Sequence, residues 1–196
     1  PVDSAGSKGV MRVDEISALP SAIDYALSES HNGHFIIEDF LEKEGYSSDC
    51  DSFTVDGELV FCSFNDQHFD PKAINPYTPA AFSWPSTMPQ WAQEELRSEL
   101  QRLMTLLNVK TGVYNIETRL CKNGKPYIME LSPRGGGNRL SEMMKYVSGQ
   151  DLIDSCVRAA VGDPIDEIHR PIYDGYWAEI ILHSECDGVF QSIEID

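Results

Sequence analysis

Residues 112–132 read GVYNIETRLCKNGKPYIMELS. Two strand-like runs, 112–121 and 126–132, flank Asn123-Gly124, a pair that tolerates the positive φ of a type I′ hairpin turn. With those two residues as the loop, Lys122 pairs with Lys125. Counting outward then sets Glu117 opposite Glu130 and Asn115 opposite Ser132. On the other face Ile116 meets Leu131, Thr118 meets Met129 and Leu120 meets Tyr127. Directly opposed residues hold their Cβ atoms about 4.5–5.5 Å apart, where like charges repel. The hairpin is therefore expected to have an apolar core face and a face carrying two facing carboxylates. A divalent cation between them would remove the repulsion. A solvated structural hairpin accounts for the same pattern, with Arg119 diagonal to Glu130 as its neutralising charge.

The residues that follow favour the first reading. Ser132-Pro133-Arg134-Gly135-Gly136-Gly137-Asn138-Arg139 places a cation and three glycines just past the second carboxylate. Consecutive glycines let a backbone approach a ligand closely and turn N–H groups toward an anion. Paired carboxylates running into such a loop resemble the ATP-grasp superfamily, in particular its carboxylate–amine ligase and carbamoyl-phosphate-synthase-like branch. In that family a glutamate on one strand and a Glu-x-Asn-Pro-Arg segment on the next hold magnesium against the ATP phosphates. Glu117 matches the first, and Glu130-Leu131-Ser132-Pro133-Arg134 matches the second, with Ser132 where asparagine is usual. The resemblance makes Glu117, Glu130 and Ser132 the residues for Mg2+ (or Mn2+). A serine hydroxyl reaches less far than an amide oxygen, so Asn115 and Asn138 stand as alternative donors.

The resemblance also implies a two-step reaction. ATP phosphorylates a carboxylate, and an amine or similar nucleophile displaces phosphate from the acyl phosphate. Arg134 is then the catalytic residue, placing fixed positive charge beside the transferring phosphoryl group. Gly135, Gly136, Gly137 and Asn138 would orient the activated substrate.

The N-terminus carries the same resemblance. Residues 1–10, PVDSAGSKGV, look like the Gly/Ser loop that covers the ATP phosphates in this family, with Ser4, Gly6, Ser7, Lys8 and Gly9 as contacts. The fixed spacing of a Walker-type loop is absent. A helix is expected over residues 17–30, with Pro20 in its first turn, then a strand over 34–41 that ends in acids. This strand matches the family's hinge. By resemblance Glu38, or the backbone of Asp39, Phe40 and Leu41, reads adenine, and Glu44 the ribose. Two strands around a turn at Asp56-Gly57 lead to a polar cluster in which His68 would face the phosphates or the second substrate. The proline-rich stretch 75–86 reads as a lid or connector, because proline suits neither helix interiors nor central strands. Thr87 and Gln90 form a capping-box signature with Pro89 in the first turn. The helix they open has Trp91, Leu96, Leu100, Leu103 and Leu107 as its core stripe. Helices over 139–147 and 152–161 follow, then strands over 172–195 with a turn at Cys186-Asp187-Gly188.

The expected fold is thus α+β and ATP-grasp-like. Residues 1–45 would be part of the lid subdomain, 46–165 the core subdomain with the metal site, and 166–196 the start of a C-terminal β-rich region. Family members extend past both ends. The chain is therefore expected to be a fragment, inactive alone, without the preceding domain and a phosphate-binding lysine.

At 196 residues and 41% hydrophobic content the chain can bury a core. Its five widely spaced cysteines fit reduced thiols in a cytoplasm, and neither a disulfide framework nor a zinc site. A net charge of −17 argues against nucleic acid as a partner. The absence of an apolar run of about 18 residues argues against a membrane helix. Partners are expected to be small-molecule carboxylates and amines, and the family is compatible with a homodimer of the full-length protein. Two other readings remain open. One is a non-catalytic nucleotide sensor, which Ser132 would suit. The other is an acidic divalent-cation-binding interaction domain, which the charge would suit although no EF-hand loop is present.

Overall fold

The computed structural model describes every residue except Ala5, Ile74, Asn75, Glu185, Cys186, Ile195 and Asp196. A single 3-10 turn, Ile16–Ala18, leads into α1 (Leu19–Ser28), with Pro20 in its first turn as expected. Strands β1 (Lys43–Val55), β2 (Glu58–Cys62), β3 (Asp66–Phe69) and β4 (Pro79–Trp84) precede the long helix α2 (Gln90–Leu106). The hairpin β5 (Gly112–Cys121) and β6 (Pro126–Ser132) is followed by α3 (Leu140–Ser148), α4 (Leu152–Val161) and β7 (Trp177–Ile180). All seven strands join one antiparallel sheet in the order β6-β5-β1-β3-β4-β7, with β2 also paired to β1.

Two helical layers cover the sheet. Under α2, Ala92, Leu96, Leu100 and Met104 pack on Cys62, Phe64, Tyr114, Ile116 and Leu120. On the other side Leu140, Met144, Val147 and Leu152 of α3 and α4 pack with Cys50, Phe53, Phe61, Phe82 and Trp84. Among the described residues, those before β1 contribute nothing to either cluster. No helix among the described residues is long and apolar enough to cross a membrane.

The hairpin that decides the fold differs from the expected one in an instructive way. Asn123 does not take positive φ, whereas Gly124 does (75°). The Cys121 N–H donates to Lys125 O (3.0 Å) and the Gly124 N–H to Cys121 O (2.8 Å), closing a three-residue loop. Asn123 Oδ1 accepts the Lys125 N–H (3.1 Å), a side-chain turn that supports this form. Near the loop the pairs are therefore Leu120↔Pro126, Arg119↔Tyr127 and Thr118↔Ile128, one residue off expectation. A bulge beside Glu117 then takes up Met129 and restores the register. Glu117↔Glu130, Ile116↔Leu131 and Asn115↔Ser132 stand as counted from the sequence. The type I′ turn lies elsewhere, at Asp56 (φ 50°) and Gly57 (φ 88°) between paired Val55 and Glu58.

Other expectations are corrected. Residues 34–42 form no strand, and Ile36, Ile37 and Phe40 lie exposed. A strand needs a ladder partner, and among the described residues, 34–41 have one backbone bond of this kind, Val2 N–H to His34 O (3.3 Å). The proline-rich stretch contains β4, an inner strand between β3 and β7. Its prolines bracket it: Pro79 opens the strand and Pro85 follows it, so neither interrupts a ladder. Thr87 does not cap α2. Its N–H (2.9 Å) and hydroxyl (2.7 Å) both donate to Asp66, and Pro89 is the N-cap. The core stripe of α2 is a straight four-residue row from Ala92 to Met104, which leaves Trp91 and Leu107 exposed. After α4, β7 is the one strand among the described residues. The expected turn at 186–188 lies partly outside them.

Candidate active site

The register of β5 on its two neighbours sets three acids in a row. Asp49 of β1 faces Glu117, which faces Glu130 of β6. In the adjacent row Asp51 faces Asn115, which faces Ser132. Tyr114, Ile116 and Leu120 point under α2. The residues alternating with them, Asn115, Glu117 and Arg119, therefore lie on the opposite face.

Burial, reinforced by the carboxylates of Asp49 and Glu130, pushes Glu117 up to about 7 from its ordinary 4.5; Arg119 and Arg134 oppose this. Burial likewise raises Asp49 and Asp51, with the Asn115 amide working against it. Asn115 Nδ2 donates to Asp49 Oδ1 at 2.7 Å and to Asp51 Oδ1 at 3.4 Å. Glu179 of β7 is also raised to about 7, by burial and by Asp49, with Arg139 opposing. Its Oε2 is buried without a hydrogen-bond partner among the described residues.

Among the described residues no three His, Cys, Asp or Glu side chains converge into a ready-made metal cluster. Two opposed glutamates nevertheless fit magnesium, which commonly takes one or two carboxylates and completes its shell from water and phosphate.

The loop after β6 is more structural than its composition implies. Ser132 Oγ donates to Glu130 Oε1 at 2.8 Å. Arg134 is exposed, and its Nη1 donates to Gly135 O at 2.8 Å. The Gly136 N–H donates to Asp51 Oδ1 at 2.8 Å, so this amide is not turned toward a ligand. Asp51 Oδ2 accepts the Ser141 hydroxyl from α3. A Cβ on Gly135 would lie 2.6 Å from Ser141 Oγ, and one on Gly136 would lie 2.5 Å from Leu140 Cδ2. Those two glycines are required by packing, whereas a Cβ on Gly137 would meet nothing within 4 Å. Asn138 and Arg139 take left-handed backbone (φ 52° and 60°) and are exposed. Arg139 pairs at two points with Glu142, so its guanidinium is directed along α3.

Arg119 does not neutralise Glu130 by contact. Its Nε donates to Ser47 Oγ (3.1 Å) and its Nη1 to Leu41 O (2.9 Å), because Ser47 is its ladder partner on β1. With the Lys122 N–H on Glu42 O (2.9 Å), it fastens the segment ahead of β1 to the glutamate hairpin. Glu38, Asp39 and Phe40 are exposed in that segment, with the Arg12 guanidinium over the Phe40 ring at 4.1 Å. Glu44 lies exposed at the start of β1. His68, half-buried on β3, has Nε2 2.9 Å from Ser83 Oγ and its ring 4.5 Å from that of Tyr46.

At the N-terminus Gly6, Ser7 and Gly9 take positive φ (65°, 58° and 73°) in a tight turn. Ser4 Oγ closes it by donating to Lys8 O at 2.8 Å, and Lys8 is exposed. Gly9 is buried, where a Cβ would come within 2.6 Å of Pro1 Cγ. Asp3 ties the turn to the end of α1 through Ser30 Oγ (2.9 Å) and the Asn32 N–H (2.7 Å).

Sequence reading missed Asp49, Asp51 and Glu179. Asp49 and Asp51 carry a signal, the i, i+2 spacing of one strand face. Their pairing with β5 does not, since no turn joins the two strands. A surface hollow of about 400 Å³ between α3 and α4, lined by Tyr146, Ile153, Val157 and the Lys145–Asp151 ion pair, contains none of these residues.

Residues 1–142 match the ATP-grasp domain, and the chain belongs to the ATP-grasp family. It is 30% identical over 120 residues to carnosine synthase 1 of Gallus gallus, covering 61% of this chain and 13% of that protein. It is 28% identical over 166 residues to the D-alanine–D-alanine ligase of Parabacteroides distasonis, covering 79% of this chain and 47% of that one. The chain thus spans less than half the length of these relatives. Its fold resembles that of biotin carboxylase from Campylobacter jejuni, solved as a β-γ-ATP complex. The TM-score is 0.73 at 16% identity, over 90% of this chain and 39% of that one.

Proposed function

We propose that this chain is the nucleotide- and metal-binding part of an ATP-dependent ligase. The enzyme activates a small-molecule carboxylate as an acyl phosphate for attack by an amine. The observation that carries this reading is the opposition of Glu117 and Glu130 on the strand pair that runs into Arg134. Magnesium bound there would neutralise phosphate charge during in-line transfer. Ser4, Gly6, Ser7, Lys8 and Gly9 would cover the phosphates, the positive-φ turn and Lys8 being suited to an anion. Residues 38–41 and Glu44 would hold the nucleoside, and Arg119 would fix their distance from the glutamates. His68 would face the phosphates or the second substrate. Residues 1–45 would act as a lid on the 46–165 core, with 166–196 beginning a β-rich region.

Arg134 lies two residues past the end of β6, and its charge acts on Glu117 and Asp49. A contact made mainly in the transition state changes turnover more than affinity. In the full-length protein, Arg134→Ala should lower kcat by roughly 10²–10³ with little change in ATP affinity. Arg134→Lys should restore little of it, because a fork is replaced by a point charge. Carboxylate-dependent ADP release measures both. Strong loss of ATP binding with unchanged kcat would make Arg134 a ground-state phosphate anchor. Tight magnesium-dependent nucleotide binding with no turnover on any carboxylate would favour a sensor.

A further inference from the structure

Asn115 is 6% exposed and faces Asp51 on one side and Ser132 on the other. Both hydrogen-bond partners of its amide are carboxylate oxygens, Asp49 Oδ1 and Asp51 Oδ1. Ionised carboxylates only accept, so the NH2 end of the amide is fixed toward β1. Nitrogen and oxygen occupy different branches of the planar amide, so Oδ1 is directed away from the two carboxylates that Nδ2 meets. Among the described residues Oδ1 accepts no hydrogen bond. Ser132, by contrast, directs its hydroxyl hydrogen at Glu130 Oε1. An amide oxygen is a hard, neutral donor of the kind that magnesium and manganese take. Being neutral, it adds a ligand without adding to the repulsion among Asp49, Asp51 and Glu117.

We infer that Asn115 is a metal ligand, its Oδ1 completing the divalent-cation site with Glu117 and Glu130, while Ser132 is a positioning residue for Glu130. This rests on the proposed function for the presence of a metal–nucleotide complex at the hairpin. The test is Mn2+ titration of the full-length protein in the presence of ADP, read by the electron paramagnetic resonance of free Mn2+. Asn115→Ala should bind Mn2+ about tenfold more weakly than the parent. Ser132→Ala should weaken it less than that. Asn115→Asp keeps an oxygen in place but cannot donate to Asp49 and Asp51, and should bind at least as tightly as the parent. If Asn115 only tethers the two aspartates, the Asp variant will lose as much affinity as the Ala variant, and the inference is overturned. Parental affinity in Asn115→Ala overturns it as well. Pulsed resonance of bound Mn2+ in the parent needs no variant: asparagine labelled with 13C at the side-chain carbonyl should add a coupling to that carbon, and its absence would exclude ligation through the amide oxygen. A parent that binds no Mn2+ with ADP would instead bring down the proposed function itself, and this inference with it.

Discussion

Glu117 has a carboxylate on either side, Asp49 across one ladder and Glu130 across the other, and its own burial adds to their effect. In the metal-free protein its carboxyl group is pushed up to about 7 from 4.5. Below the lower value both folded and unfolded chains hold the proton, and the site costs nothing. The cost grows as pH rises from about 4.5 and is complete above about 7, since the unfolded chain ionises first. Glu117→Gln removes it. The variant should match the parent near pH 4 and gain on it through pH 5–7, by on the order of 3 kcal/mol at the plateau. Urea unfolding at several pH values without divalent metal checks this. An advantage independent of pH would mean that Glu117 is already neutralised by Arg119 and Arg134. With Mn2+ and ADP at neutral pH the order should reverse, because a ligand stabilises only the state that binds it.

At the scale of the element, the loop from Pro133 to Arg139 is built by its neighbours more than by its glycines. Gly136→Ala would drive a Cβ to 2.5 Å from Leu140 Cδ2 and 2.9 Å from Asn115 Nδ2. Leu140 is fully buried and cannot swing aside, so the cost should be about 1–3 kcal/mol, as for other overpacked sites. Gly137→Ala, into open space, should stay within about 0.5 kcal/mol of the parent. Thermal unfolding of the two variants separates packing from flexibility, and equal losses would refute the contrast. The composition Gly-Gly-Gly showed that something approaches closely here, but not that it is Ser141, Leu140 and Asn115. The hairpin was legible in the same partial way. Glu117 and Glu130 were paired correctly from an assumed two-residue turn, because a three-residue loop and a compensating bulge at Met129 cancel. One helix, α4 ahead of Gly162, is legible to the residue, whereas α1 and α3 differ from expectation by one or two residues at each end. What could not be read was contact between distant strands. Asp49 and Asp51 join the site through the β1–β5 ladder, and Arg119 turns to Leu41 instead of Glu130, for reasons that reside in tertiary pairing.

At the scale of the molecule, one sheet separates two apolar cores, and the candidate site depends on both. The α2 core holds β5 through Tyr114, Ile116 and Leu120, which fixes Glu117. The α3–α4 core holds Leu140 and Met144, and with them Ser141, the partner of Asp51. Strands β1 and β5 lie side by side in the sheet, and Cys50 of β1 meets Met144 of α3 through its sulfur at 3.7 Å. If this shared sheet makes the two cores one cooperative unit, damage to either should lower the same global transition. Leu100 and Met144 are each 0% exposed, one in each core. Truncating either to Ala should cost about 2–5 kcal/mol. Their effects should add to within about 0.5 kcal/mol, since the residues share no partners. Urea unfolding followed by circular dichroism should remain a single transition in Leu100→Ala, Met144→Ala and the double variant. A first, partial transition in Met144→Ala alone would show that α3 and α4 open as a separate unit. The loop carrying Arg134 would then be anchored by Asp51 alone in the partly opened state, and its hydrogen exchange at Gly136 would rise while that of β5 stayed slow.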